Sequence, residues 1–580
     1  MAQRVQGTRR VWLPAAFFGA FALVILTRLV QLQVLDHEAY AAAARSELNA
    51  STTIYASRGS ILDRNGNVLA ASVDTWDIYV NARAWKDEMR AKTASEELAR
   101  ALETDPAELR ARVAAAETVD VLIRRDVAYE IGKQLLDDSL DGVILRANTD
   151  RVNPEGDVAA SVLGFIGLDN VGLAGIEAAY NDVLQGEPGR VIFERDTTND
   201  FIPFGQYVAS EPEPGKDVVL TIDRYLQQTC EQYLVEAVER HHAVDGGSII
   251  MMDPMTGELL CLATTPSLKF SELDLSDPDV LELLKNRAVT DLYEPGSVMK
   301  VITAAAAIDV GAVTPHTTYV DAGSIDVAGV EIKNWRNLSY GAQTMTGVLV
   351  DSINTGAVFM MNAMEATSPG SFQRYLEAFG FGETTGMDLQ GEATAIFRYP
   401  DDAGWSPVDA ATQAFGQSIS VTPIQMLTAL AATINGGNLL RPHLVKAIIS
   451  PNGTRQEIQP EVMGHPITPE TSAEIREMLH AVVDSPGRSH PGNPHDYLAG
   501  GKSGTANVPI GGSYNDTQIA SFVGFAPLDN PRVLVLVKLN ENQDLKTGTE
   551  AAAPIFASLA EEALHYMNVR PDAEKSVSRP

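Results

Sequence analysis

At 580 residues the chain exceeds a single ordinary domain, and two to four folding units joined by linkers are expected. Its composition, 45% hydrophobic and 21% charged, is that of a folded globular protein rather than a disordered or fibrous one. The formal net charge of -32 argues against a nucleic-acid surface, whose affinity comes from Lys and Arg displacing counterions, and reads as a solvated acidic exterior. The two cysteines, Cys230 and Cys261, stand outside any Cys-x-x-Cys or Cys/His spacing that suits zinc, so no metal site is expected. One disulfide and two buried free thiols both remain open for them, because pairing requires Cα atoms within about 7 Å.

Arg4, Arg9 and Arg10 precede an apolar run from Val11 to Val30, broken only by Thr27 and Arg28. As a helix this run is about long enough to cross a bilayer. The basic residues lie before it and Asp36-His37-Glu38 after it, so the positive-inside bias places the N-terminus in the cytoplasm and the rest of the chain outside. A cleaved signal peptide, with processing near Ala41 to Ala44, is the competing reading, but its apolar region would be shorter. Arg28 is expected to snorkel to the outer interface.

Beyond the anchor, Ser57 to Leu69 reads as strand, Asn-Gly turn and strand. Helical spacing in residues 96–102 and 107–113 predicts a small helical head over about 85–145. Strand-like runs return at Val162–Gly167 and Gly189–Phe193, and Pro212-Glu213-Pro214-Gly215 punctuates the chain, marking a boundary near 215. After it, Val218–Ile222 and Gly247–Met252 read as strands around a helix from Arg224 to Glu239. Ser521–Phe525 and Val533–Val537 read as further strands, with Ala552 to Tyr566 as a closing helix and a short tail from 571.

Three short motifs occur in order: Ser297-Val298-Met299-Lys300, Ser352-Ile353-Asn354 and Lys502-Ser503-Gly504-Thr505. The Pro295-Gly296 turn followed by an apolar helical run puts Ser297 at a helix start with Lys300 one turn along, on the same face. A desolvated lysine beside another cation has a depressed pKa and can take the serine proton. The helix start also offers backbone N–H groups and a positive dipole end to an oxyanion. Ser352 is expected to relay a proton to a leaving amine, and Asn354 to orient Lys300 and a substrate amide. Lys502 to Thr505 reads as a strand edging the cleft, with Lys502 and Thr505 on one side and Gly504 admitting substrate backbone. Lys502 adds positive potential there, and if the site takes the geometry of the family these motifs resemble, Ser503 and Thr505 bind substrate and the N–H groups of Ser297 and Thr505 form the oxyanion hole.

These residues resemble the penicillin-binding protein and serine β-lactamase superfamily, and more closely its high-molecular-mass class B transpeptidases. Arg58-Gly59-Ser60-Ile61-Leu62-Asp63-Arg64-Asn65-Gly66 and Gly175-Ile176-Glu177 look like pedestal motifs of that family. Asp253-Pro254, Tyr293-Glu294-Pro295-Gly296-Ser297 and Phe415 to Pro423 look like its catalytic domain. The resemblance implies an α+β protein with an N-terminal transmembrane helix (residues 1–35), an elongated mixed pedestal or dimerisation-like domain (36–215) and a transpeptidase domain (216–570). That last domain would pair an antiparallel sheet flanked by helices with an all-helical part.

The implied activity is cross-linking of peptidoglycan stem peptides through a Ser297 acyl-enzyme, without cofactor or metal. The implied ligands are stem peptides and β-lactams, which acylate the serine covalently. The implied partner is a polytopic glycan polymerase of the shape, elongation, division and sporulation family. Wording around Tyr293–Lys300 and Phe415–Pro423 is more like division or sporulation members than elongation members. A serine β-lactamase or D,D-carboxypeptidase would not need so long a pedestal, a β-lactam sensor would carry more spans, and a catalytically silent scaffold would not need the three motifs intact.

Overall fold

The computed structural model describes residues 6–38, 40, 49–167, 169–194, 207–273, 277–485, 487, 489–510 and 513–572. The cleavage alternative at Ala41 to Ala44 and the tail from 573 lie outside these residues. The chain divides into two compact units, Met1–Ser57 with Gly186–Pro214, and Arg58–Gln185 with Gly215–Pro580.

The first unit holds the N-terminal helix Gln6–Val30, extended by one wider turn at Gln31–Leu35. At 1.5 Å per residue its 25 residues span about 37 Å, enough for a hydrocarbon core of about 30 Å. Phe17, Phe18, Leu23 and Val24 are exposed along it, an apolar surface that a bilayer would cover. Arg28 lies near its end and donates to Gln31 Oε1 at 2.8 Å. Strands Asn49–Ile54, Gly189–Glu194 and Tyr207–Ser210 form a three-stranded antiparallel sheet in the same unit.

In the second unit the predicted hairpin is present: Ile61–Leu62 pairs antiparallel with Val68–Asn81. Its turn closes because buried Asp63 accepts the backbone N–H groups of Asn65 and Asn67 at 2.8 Å each. Val68–Asn81 also pairs with Asp120–Ala128 and Val143–Val152, while Ile61–Leu62 runs parallel to Asp217–Leu220. One mixed sheet therefore passes from the head into the larger body.

The head differs from the helical expectation over 85–145. Helices Glu88–Ala101, Pro106–Ala115 and Tyr129–Asp138 are there, the first two capped by the side chains of Asp87 and Asp105, but two strands lie among them. Val121 and Ile123 alternate inward to meet Leu98, Leu109 and Val113, so the segment is mixed. Val162–Leu163, read as strand, ends a short helix from Ala160.

Two motifs of the family resemblance turn out to be one packing device. Arg58 donates from Nε to Glu177 Oε2 at 2.6 Å, and Arg151 from Nε to Glu177 Oε1 at 2.7 Å. Arg58 also reaches the Glu177 carbonyl at 2.7 Å, and Arg151 the Gly59 carbonyl at 2.8 Å. All three side chains are buried, so each charge depends on the others for the solvation that water would otherwise supply.

The catalytic-body sheet has five antiparallel strands in the order Leu259–Thr265, Gly247–Met252, Val533–Asn542, Ser513–Ala526, Gly500–Ile510. The last is an edge, as expected for the Lys-Ser-Gly-Thr segment. Beside the sheet lie helices Met299–Asp309 and Pro423–Ile434, the second buried along its whole length, which their all-round apolar sequence requires. Cys230, on helix Arg224–His241, and Cys261, on the neighbouring strand, form a disulfide with Cα atoms 6.7 Å apart, closing the alternative that sequence left open.

Replacing Glu177 by Ala is expected to lower the unfolding free energy by about 3–5 kcal/mol, because two buried guanidinium groups lose their carboxylate. Denaturant unfolding of the variant measures this, and a midpoint equal to that of the unaltered protein would contradict the account.

Candidate active site

The site starts from a turn held on both sides. Tyr293 and Val421 exchange backbone hydrogen bonds of 3.0 and 2.9 Å, and the Gly296 N–H donates to the Gly416 carbonyl at 3.0 Å. The buried Glu294 carboxylate accepts the Ser418 N–H at 2.9 Å. Gly296 has φ +56°, and a Cβ on Gly416 would lie 2.1 Å from the Gly296 oxygen; both glycines are demanded by this close approach. The Phe415 to Pro423 segment thus fixes the turn that presents Ser297. Residues 296–298 form one tight turn leading into the helix Met299–Asp309, so Ser297 stands at a helix start as the sequence predicts.

Lys300, one turn along, has no exposed surface. Its Nζ lies 3.0 Å from Ser297 Oγ, 2.6 Å from the Ser352 carbonyl oxygen, 2.8 Å from Asn354 Oδ1 and 3.3 Å from Ser352 Oγ. Burial, then the neighbouring Lys502 charge, hold this amine well below the ordinary lysine range. A neutral amine has two N–H donors and one lone pair. The Ser352 carbonyl and Asn354 Oδ1 can only accept, so they take the two donors and leave the lone pair for the Ser297 hydroxyl. That is the orientation a general base needs.

Ser352 lies between helices Met345–Val350 and Asn354–Thr367, and Asn354 opens the second. Ser352 has φ +56°, a left-handed backbone uncommon for a residue with a side chain and costing of order 1–3 kcal/mol, and its carbonyl meets Lys300. The Asn354 amide is fixed from behind, donating from Nδ2 to the Lys333 carbonyl at 3.0 Å.

Lys502 joins the group from the edge strand: its Nζ lies 3.1 Å from Ser352 Oγ. It is buried, and burial lowers its pKa to about 8. The structure therefore gathers Ser297, Lys300, Ser352, Asn354 and Lys502 around two hydroxyls.

Two expectations for the edge strand are corrected. Pairing with the next strand is continuous from Gly500 to Asn507, so alternation puts Lys502 and Thr505 on opposite faces. Ser503 and Thr505 share the half-exposed face, while Lys502 starts on the buried face. Gly504 answers to packing behind it rather than to substrate: a Cβ there would meet Ser521 Oγ at 2.5 Å, the Pro295 oxygen at 2.7 Å and Val298 at 2.9 Å. Thr505 Oγ1 accepts the Gly548 N–H at 3.1 Å, which leaves its own hydroxyl proton for another acceptor.

Sequence reasoning did not single out Glu294, the Lys333 carbonyl or His490. The His490 ring packs on Phe522 with centroids 5.8 Å apart, and burial together with the Lys502 charge lowers its pKa to about 4. Its place twelve residues before Lys502 in a loop carries no sequence signal.

Residues 247–561 match the penicillin binding protein transpeptidase domain, and residues 53–220 the penicillin-binding protein dimerisation domain. The chain is 34% identical over 562 residues to stage V sporulation protein D of Bacillus subtilis, covering 96% of this chain and 85% of that protein. It is 29% identical over 572 residues to the peptidoglycan D,D-transpeptidase FtsI of Escherichia coli, covering 97% and 93%. The crystal structure of penicillin binding protein 2X from Streptococcus thermophilus is similar with TM-score 0.77 at 25% identity, covering 91% of this chain and 82% of that one. The chain belongs to the class B penicillin-binding proteins, which combine these two domains.

The two lysine shifts predict a bell-shaped pH profile for acylation by a β-lactam. The rate rises as Lys300 loses its proton, at a pH well below the ordinary lysine range, and falls above about 8 as Lys502 loses its charge. Stopped-flow acylation across pH 5–11 checks this, and a rate still climbing at pH 10 would contradict both assignments. In Lys502→Arg the alkaline limb should vanish, because a guanidinium stays charged.

Proposed function

We propose that this chain is a membrane-anchored peptidoglycan D,D-transpeptidase with Ser297 as nucleophile and Lys300 as its base. The observation that carries the reading is the buried amine of Lys300, 3.0 Å from Ser297 Oγ with two acceptor-only oxygens taking its N–H donors.

The steps follow from that arrangement. Lys300 Nζ takes the Ser297 hydroxyl proton while Oγ attacks the carbonyl carbon of the penultimate D-Ala of a stem peptide. The backbone N–H groups of Ser297 and Thr505 hold the resulting oxyanion. The terminal D-Ala amine leaves as the C–N bond breaks, and receives a proton passed from the Lys300 ammonium through Ser352 Oγ. Asn354 orients Lys300 and the substrate amide. Ser503 and Thr505 line the wall that receives the donor peptide, their hydroxyls facing its carboxylate, while Lys502 adds positive potential from behind the strand. An amine from a second stem peptide then attacks the acyl carbon, Lys300 takes its proton and passes it to Ser297 Oγ as the acyl C–O bond breaks, and the free serine and neutral lysine are restored. A β-lactam enters at the first step and stays bound to Ser297.

Residues 36–215 serve as pedestal and 216–570 as transpeptidase domain, with the N-terminus cytoplasmic and the catalytic domain outside the cell membrane. The basic residues preceding the apolar helix support that orientation. A polytopic glycan polymerase of the shape, elongation, division and sporulation family supplies the glycan strands. A septal or sporulation role is favoured over elongation by the similarity to stage V sporulation protein D.

Fluorescent penicillin should label the intact protein and leave Ser297→Ala unlabelled; covalent label on the variant would remove Ser297 as nucleophile. Depletion in growing cells is expected to give filaments, and rounded cells would assign the chain to elongation instead.

A further inference from the structure

Behind the site lies a buried carboxylate that the steps above do not use. Asp321, 2% exposed, ends the strand Thr318–Asp321 and collects donors from three directions. Thr355 Oγ1 donates to its Oδ1 at 2.5 Å, Asn334 Nδ2 lies 3.0 and 2.9 Å from its two oxygens, and the backbone N–H groups of Tyr340 and Gly323 donate at 2.7 and 3.2 Å. Burial pushes this carboxyl up, but the hydrogen bonds from Thr355, Tyr340, Asn334 and Gly323 outweigh it and hold the group below the usual carboxylate range.

Two of these partners, Thr355 and Asn334, adjoin residues of the site. Thr355 follows Asn354, and its backbone N–H donates to Asn334 Oδ1 at 3.1 Å. Asn334 follows Lys333, whose carbonyl accepts from Asn354 Nδ2 at 3.0 Å. A carbonyl can only accept, so it forces the amide's NH2 toward itself and its Oδ1 toward Lys300. If Lys333 moved away, the Asn354 amide could turn over and offer N–H donors to the amine, which would then point its lone pair at Asn354 instead of Ser297.

We infer that Asp321 is a positioning residue for acyl transfer: by clamping Asn334 and Thr355 it holds the Lys333 carbonyl and the start of the Asn354 helix in place, and so fixes which end of the Asn354 amide meets Lys300. This rests on the Ser297–Lys300 reading above. Among charged groups, Lys502 acts directly on Lys300, and Tyr319 and Tyr340 are titratable residues beside Asp321; none of these is altered in the test.

The test is acylation of the full chain by a chromogenic β-lactam, resolved into a binding constant and an acylation rate constant across pH, with thermal unfolding alongside. For Asp321→Asn the acylation rate constant should fall on the order of 10²-fold, as misplacement of a reacting group does, with the binding constant little changed. The acid limb should move to lower pH, because the Lys300 ammonium loses an acceptor that stabilised it. Thr355→Val, which removes one bond to the carboxylate and is the milder change, should show a fall of about ten-fold with the same shift of the limb. An unchanged rate constant in either folded variant, or a fall that is uniform over pH and accompanied by a loss of folded protein, would overturn the proposal. Ser297→Ala serves as the control: acylation of that variant would instead remove the reading on which the inference rests.

Discussion

The proposed chemistry of this molecule depends on one lysine being placed where its charge is strongly disfavoured. Burying an ammonium costs several kcal/mol unless a carboxylate compensates it. The polar contacts described at the Lys300 amine are the Ser352 carbonyl, two hydroxyls and an amide oxygen, with the Lys502 cation close by. The amine therefore prefers to be neutral, and a neutral amine with both N–H bonds committed has one direction left for its lone pair. Burial disfavours the charge, the acceptors set the orientation, and together they suit a residue ordinarily protonated at neutral pH to the part of base proposed for it.

The surrounding fold serves this placement. Ser297 and Lys300 sit at the start of an apolar helix buried from Met299 to Ala307, so the dyad cannot swing into water. The turn before Ser297 is pinned by Gly416 and Val421 on one side and by the edge strand, through Gly504, on the other. Nothing larger than hydrogen fits at Gly504 because the nucleophile turn and Ser521 close on it. Lys502 approaches from the buried face of that strand, leaving Ser503 and Thr505 on its half-exposed face. Strand pairing and nucleophile position are thus one constraint.

The pedestal follows the same economy on a larger scale. Arg58, Arg151 and Glu177 come from three separate segments, and both guanidinium groups are hydrogen-bonded by the one carboxylate they share and by neighbouring carbonyls. Buried charges of this kind give geometry more than stability. Here they hold Gly59 against the residues leading into Asp217–Leu220, where the mixed sheet continues from the head through the parallel pairing of Ile61–Leu62 with that strand.

Local chemistry made much of this legible without coordinates. The apolar N-terminal run, the Asn-Gly hairpin, the helix after Ser297 and the late strands are all set by short-range patterns of side-chain size and polarity, and each was where those patterns placed it. The motif residues Ser297, Lys300, Ser352, Asn354 and Lys502 could be named because acyl transfer needs those groups in a recognisable order. The strands at 120–128 and 143–152 were missed because helical spacing on either side outweighed a short alternation that only pairing with Val68–Asn81 makes decisive. The face of Lys502, the reason for Gly504, the joining of Cys230 to Cys261 and the clamp from Asp321 through Asn334 to Asn354 were settled by tertiary structure alone. They depend on which atoms of distant segments meet within hydrogen-bonding or van der Waals distance, and spacing along the chain carries no record of that.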